Sequence, residues 1–346
     1  MPGQTVGANM NARCPKAWYV LAAAAVSLGL LAAGGPAAAT VTPGSPLHTA
    51  ATLPHQVREI TGGVMFGGTV SLVKDERRLG RKLAIVRGYY HFGERFPTRR
   101  DGALMAGHRT MLVSLDAWHN TPGYAAVAAG RDDRFIRSFL RSMNHAAIQH
   151  HLGVIYFSYE HEAELNHGMG SPAQFRRAWQ HIRHLARRAH LSRLRFVFTL
   201  LHWAFLRPQP RWMRVPSATA MWPGNRQVDI VAADGYYSRG CKAGSAPGSY
   251  RQSTPSSVFG PVLNFARLHQ KPVFLAEWGA SAKHPRSQAN FIREMAGFVS
   301  AHPQIRAVSY WDAAGSHCSY SVDHHPRALA ALRMMGQRRA LQGRVR

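Results

Sequence analysis

The feature that most restricts the fold of this chain is a regular alternation of short apolar runs with longer stretches of helical periodicity. Eight such runs cover residues 63–66, 83–86, 110–115, 154–159, 194–200, 228–233, 272–276 and 305–310. Most are continuous Val, Ile, Leu and Phe without strict alternation, as expected for strands covered on both faces in a parallel sheet. Between them, Phe135, Phe139 and Met143 recur at helical spacing over 132–149, and Phe175, Trp179, Ile182, Ala186 and Ala189 do so over 172–189. The second helix carries its own start signal, with Ser171 at the N-cap, Pro172 at N1 and Gln174 at N3, a set that satisfies otherwise unpaired amides. Further helices are expected over 257–269, 287–301 and 327–335, whereas 202–227, rich in Trp, Pro and Arg, reads as a long loop with at most short turns. Eight βα units predict an α/β fold, a (β/α)8 TIM barrel over 61–335. Residues 40–60 then form a Thr, Pro, Ser and Ala-rich linker, and 336–346 a basic tail.

Upstream of the barrel, Arg13 and Lys16 precede an apolar run over 17–33, followed by Gly34-Gly35-Pro36 and the small residues Ala37-Ala38-Ala39. This is the form of a signal peptide over 1–39, cleaved after Ala39, and it implies a secreted protein. The run is short for a comfortable membrane span, so an uncleaved anchor is the lesser reading and no stable span is expected after cleavage. Cys14 falls inside the signal, which leaves Cys241 and Cys318, in the loops after the sixth and eighth strands, as an even pair that can form a disulfide on export. The charge balance is 43 basic to 17 acidic residues, a formal net charge of +26. Only six of the basic residues are lysines (Lys16, Lys74, Lys82, Lys242, Lys271 and Lys283), so arginine carries the excess. Such a surface attracts polyanions in general. Export argues against nucleic acid as the partner. The arginines are scattered over helices, so the plainer reading is a solvated outer face, with an acidic polymer as the alternative.

In a barrel, chemistry collects at the C-terminal ends of the strands. Here those ends hold Tyr89, Tyr90 and His91; Asp116, Trp118 and His119; Glu160, His161, Glu162 and Glu164; His202 and Trp203; Asp234, Tyr236 and Tyr237; Glu277 and Trp278; Trp311 and Asp312. Aromatic rings that stack on sugar C–H faces, with acids that bond hydroxyls, suit a polysaccharide or oligosaccharide substrate. Glycoside hydrolysis needs one protonated carboxyl and one ionised carboxylate, and a spacing of roughly 5 to 5.5 Å gives retention of configuration. A glutamate after strand four, one of three candidates there, and Glu277 after strand seven face each other across such a mouth.

Three motifs carry a more specific likeness: His161-Glu162-Ala163-Glu164 after strand four, Val228-Asp229 leading to Asp234-Gly235-Tyr236, and Lys271-Pro272 leading to Ala276-Glu277-Trp278-Gly279. In order and spacing the chain resembles glycoside hydrolase family 26, the β-mannanase family of the retaining (β/α)8 clan, in a divergent bacterial branch. The resemblance implies that Glu162 is the acid/base with His161 beside it, and that Glu277 is the nucleophile. It also implies that Tyr236 bonds the nucleophile and that Trp311 stacks under the sugar next to the scissile bond. Trp118, Trp203 and Trp278 are the further aromatic candidates for substrate contact. The residues after the His-Glu pair, Ala163-Glu164-Leu165-Asn166-His167, differ from the Met-Asn-Gly of characterised mannanases. The resemblance therefore reaches the reaction class, with β-mannan as its default, while xylan, mixed β-glucan and bacterial exopolysaccharide stay open.

His161 and His167 stand six residues apart after a strand, not at i and i+4 on one helix face, so no zinc hydrolase site is expected. No Gly-x-Ser-x-Gly elbow, phosphate-binding loop or dinucleotide fingerprint is present, and no cofactor is expected. The rival from another class is a catalytically silent carbohydrate-binding or exopolysaccharide-assembly protein on the same barrel.

Overall fold

The computed structural model describes residues 59–116, 123–209, 214–239, 241, 254–313 and 318–345. The signal, most of the linker, Trp118 and His119 lie outside them. Its strands are β1 (Ile60–Gly63), β2 (Met65–Thr69), β3 (Ile85–His91), β4 (Thr110–Asp116), β5 (Ile155–Tyr159), β6 (Leu194–Leu201), β7 (Ile230–Tyr237), β8 (Val273–Ala280), β9 (Ile305–Tyr310) and β10 (Leu341–Val345). The helices are α1 (Glu76–Leu79), α2 (Arg99–Ala106), α3 (Tyr124–Ala128), α4 (Asp133–Gln149), α5 (Pro172–Arg188), α6 (Ala218–Met221), α7 (Pro255–Leu268), α8 (Pro285–Ala301) and α9 (Pro326–Gln337). Strands β2 to β9 pair in parallel in sequence order, and β2 also pairs with β9, so the eight close into a (β/α)8 TIM barrel. The eight apolar runs correspond to these eight strands.

Two segments assigned outside the barrel add antiparallel strands beside it. Ile60, placed in the linker, begins β1, and the basic tail contributes β10, which pairs antiparallel with β1 and β2. The reason is local. Residues 341–345 alternate, with Leu341 and Gly343 buried and Gln342 and Arg344 exposed, and the arginines conceal a strand. Gly63, counted with the first barrel strand, instead ends β1 at φ +112, where a Cβ would lie 2.4 Å from the Ala340 carbonyl oxygen. Among the described residues of 202–227 are one 3-10 turn, His202–Phe205, and the four-residue α6, close to the loop expected.

Strand parity divides the core. Ile85, Leu112, Tyr156, Val197, Ile230, Ala232, Phe274 and Ala276 fill the barrel interior, where Tyr156 meets Phe274 edge-on at 4.8 Å. The residues between them face the helices, as Val86, Val113, Phe157 and Phe198 do. Helix α5 begins as expected, with reciprocal bonds between Ser171 and Gln174. It is anchored by Arg183, which grips Asp229 through two bonds of 2.7 and 2.9 Å while Asp229 accepts the Phe196 N–H at 2.7 Å.

Asp229→Ala leaves a largely buried guanidinium and a strand amide without their acceptor. It should lower stability by roughly 3 kcal/mol, seen as a lower urea midpoint. Asp229→Asn, which keeps one acceptor oxygen, should lose less.

Candidate active site

Arg87 on β3 lies inside the barrel with 0% of its side chain exposed. Its Nη1 donates to Asp234 Oδ1 at 2.8 Å, and its Nη2 reaches Asp234 Oδ2 and Ser114 Oγ at 3.3 Å and Glu277 Oε1 at 3.4 Å. Glu277 is held at both oxygens: the Tyr89 hydroxyl donates to Oε1 at 2.6 Å and the Tyr236 hydroxyl donates to Oε2. Glu162, Asp234 and Glu277 each bring one carboxylate oxygen to within 4.8 Å of the others. The carboxyls of strands four and seven of the barrel, β5 and β8, therefore do converge.

Two backbone irregularities make this possible. In β8 the register against β7 shifts, Ala233 pairing with Leu275 but Asp234 with Glu277. The extra residue lets Ala276 and Glu277 face inward in succession, the re-aiming that a bulge produces. At the end of β5, Glu160 and Glu162 both adopt left-handed backbone, with φ of 51° and 54°. This conformation costs roughly 1–2 kcal/mol for a residue with a Cβ. It turns the chain sharply into the 3-10 turn Ala163–Leu165.

Burial and neighbouring charge set the proton affinities. Burial and the nearby Glu277 and Glu162 push Asp234 well above the usual carboxylate range, against the pull of Arg87. Glu277 is raised by burial and by Glu162, while Arg87, Tyr236 and Tyr89 draw it down. Burial first, then the carboxylates, raise both Tyr89 and Tyr236 well above the ordinary phenol, so each remains a hydrogen-bond donor. Burial opposes the charge of Arg87, but Asp234 and Glu277 outweigh it and keep the guanidinium protonated.

The other sequence candidates divide. His161 is buried beside Tyr89 with ring centroids 5.3 Å apart, and the half-buried Trp311 meets the same tyrosine edge-on at 5.7 Å, so both border the carboxylates. Trp278 does not. The bulge that turns Glu277 inward turns Trp278 outward, fully buried against Tyr310 in the helix-side core, and it cannot meet a sugar. Trp203 also packs in the helix-side core, 6% exposed. Of the strand-four acids, Glu164 accepts the Leu201 N–H at the end of β6 at 2.7 Å, and Glu160 accepts from the Asn166 side chain in its own loop at 2.6 Å. Cys241 and Cys318 form the expected disulfide, their Cα atoms 5.1 Å apart.

Sequence reasoning missed Arg87 and Tyr320. The signal for Arg87 was present as a single cation at an inward position of an apolar strand. Tyr320 packs on Gly279 and on the Tyr236 ring, at 4.7 Å between centroids, and shares a 2.8 Å bond with Ser238. Burial pushes its hydroxyl up to about 12. No pattern in the irregular loop after β9 marks it.

Among solved structures, the chain is similar to a family 26 β-mannanase from Bacteroides ovatus, at 10% identity and a TM-score of 0.59 over 81% of this chain and 90% of that one. It is also similar to the family 26 domain of an endo-β-mannanase/endo-β-glucanase from Prevotella bryantii, at 12% identity and 0.51 over 82% and 91%. A third likeness is to Cel5A of Thermotoga maritima in complex with mannotriose, at 12% and 0.51 over 78% and 98%. At these identities the likeness shows a shared barrel. The sequence matches no family profile and no curated protein.

Tyr89→Phe and Tyr236→Phe each remove a donor to the charged form of Glu277, so the carboxyl should titrate at higher pH in either variant and higher still in the double variant. Carbon-13 NMR titration of labelled glutamate side chains, with Glu277→Gln to assign the signal, reads this directly. An unchanged titration would show that the two phenols do not hold the charge.

Proposed function

We propose that the protein is an exported retaining glycoside hydrolase of the family 26 type that cleaves β-glycosidic bonds in a polysaccharide. The observation that carries this reading is the pair Glu162 and Glu277, with carboxylate oxygens within 4.8 Å. That separation is near the roughly 5–5.5 Å of retaining enzymes and well short of the roughly 6.5–9.5 Å of inverting ones.

In this reading Glu277, bonded by Tyr89 and Tyr236 and near Arg87, is the nucleophile. Its carboxylate attacks the anomeric carbon while Glu162 gives a proton to the departing glycosidic oxygen. The C–O bond breaks and a glycosyl ester of Glu277 forms. Water then attacks the same carbon, Glu162 takes its proton, and the ester bond breaks with the original configuration restored. Trp311 supports the sugar beside the scissile bond, and His161 borders the acid/base. The comparison structures include mannanases, which makes β-mannan the first substrate to try. The residues after Glu162 differ from those of characterised mannanases, so the other β-glycans stay in the test. Export follows from the N-terminal signal pattern, and no described helix is long and apolar enough to cross a membrane.

The test is a screen of purified protein against mannan, xylan, mixed β-glucan and bacterial exopolysaccharide, with NMR of the first-formed anomer. Wild type should release sugar with retained configuration. Glu162→Ala and Glu277→Ala should each lose on the order of 10²–10⁴-fold in kcat. Release that either variant leaves unchanged would reject the assignment, and no release on any glycan would favour the silent binding protein.

A further inference from the structure

Exterior arginine is denser on the α4–α5 flank than on the wall across the barrel. Helices α4 and α5 carry three and five arginines and a single acid, Asp133, against two arginines in each of α8 and α9 across the barrel. Asp133 is already bonded by Arg137 at 2.7 Å and by His181 at 2.6 Å. The second of these bonds joins α4 to α5, and the Arg193 N–H, in the turn after α5, donates to Asn144 of α4 at 2.9 Å. Arg176, Arg183 and Arg187 turn back onto the fold, to Ala220, Asp229 and Arg226. Arg134, Arg137, Arg141, Arg177 and Arg188 remain exposed, with His145 and His184 exposed among them.

On α4 the exposed arginines recur about once per turn, a rise of about 5.4 Å, comparable to the advance of a polysaccharide with one charge per sugar. Guanidinium forks match planar carboxylate or sulfate oxygens better than ammonium groups do. The same two helices expose no aromatic ring on which a nucleic-acid base could stack, and Ile148, 53% exposed, is their single exposed large apolar side chain. That composition suits neither single-stranded nucleic acid nor insertion into a lipid surface. Both helices start at the end of the barrel where the carboxylates gather, so the stripe leads away from the mouth of the site.

We propose that the α4–α5 flank is a docking surface for an anionic polysaccharide, which it holds beside the cleft. The choice of a polysaccharide rests on the glycosidase reading; the charge recognition does not. The test is equilibrium binding of the full chain to polygalacturonate across a salt series, with duplex DNA and phosphatidylglycerol vesicles as competing probes. Arg137→Glu/Arg141→Glu/Arg177→Glu should weaken polygalacturonate binding about tenfold or more and reduce the salt dependence by about two to three released counterions. Arg286→Glu/Arg293→Glu/Arg327→Glu, the same charge change on the opposite wall, should cost less than about threefold.

Equal losses in the two triple variants, no loss in the first, or tighter binding of DNA or vesicles than of polygalacturonate would each overturn the proposal. Thermal unfolding of both variants checks that they fold, and Arg137→Gln/Arg141→Gln/Arg177→Gln replaces the first if it does not. Binding is measured in Glu277→Gln as well as in wild type. A failed hydrolysis screen therefore leaves the docking result readable, and failed docking leaves the hydrolase reading intact.

Discussion

Arg87 is fully buried, and its guanidinium is shared among Asp234, Glu277 and Ser114. Burial and neighbouring carboxylates, Glu162 among them, make Asp234 and Glu277 tend to take up protons. A fixed cation between two of them changes that balance, and it does so where water cannot screen it. A guanidinium suits the task better than an ammonium because its fork can meet Asp234 through two bonds and still reach Glu277. The cost is dependence: a buried ion cluster of this kind is stable only while every member is present. Asp234 sustains the charge of Arg87, and Arg87 helps Glu277 to ionise. The two tyrosines then fix the direction in which Glu277 can act.

Much of this architecture was legible in the sequence because it rests on period and composition. Eight β-rich runs separated by amphipathic stretches have few compact solutions, and the signals at Ser171 and Gln174 placed α5 within a residue. The acidic positions at the ends of the fourth and seventh strands were also visible. What the sequence did not carry was the phase of β8. Simple alternation from Phe274 and Ala276 would turn Glu277 toward the helices and Trp278 into the barrel. One extra residue reverses both, and the reading of Trp278 as a sugar platform failed for that reason.

The remaining misses have related causes. β10 was hidden because Arg344 and the preceding Arg338 and Arg339 outweigh a two-residue alternation that only pairing with β1 and β2 makes meaningful. Arg87 reads as an interruption of an apolar strand until its acidic partners, from strands far apart in sequence, are placed around it. Among three neighbouring glutamates, residue type and spacing leave the choice open, and the family resemblance is what points to Glu162. In the fold Glu164 accepts a β6 amide and Glu160 the Asn166 side chain, while Glu162 brings a carboxylate oxygen close to those of Asp234 and Glu277.

The bond between Cys241 and Cys318 joins positions 77 residues apart, and the closed loop contains all of α7, β8, α8 and β9. The strand that bears Glu277 is therefore part of a covalent ring as well as a hydrogen-bonded sheet. Proteins open piecemeal, in cooperative units that often follow supersecondary motifs. A unit spanning β8 can separate from its neighbours only with its two ends still tethered, which shrinks the set of open conformations available to it. The expected result is unequal durability around the barrel. The quarter that holds the proposed nucleophile should exchange its amide hydrogens later than strands outside the ring, and reduction of the disulfide should remove that persistence.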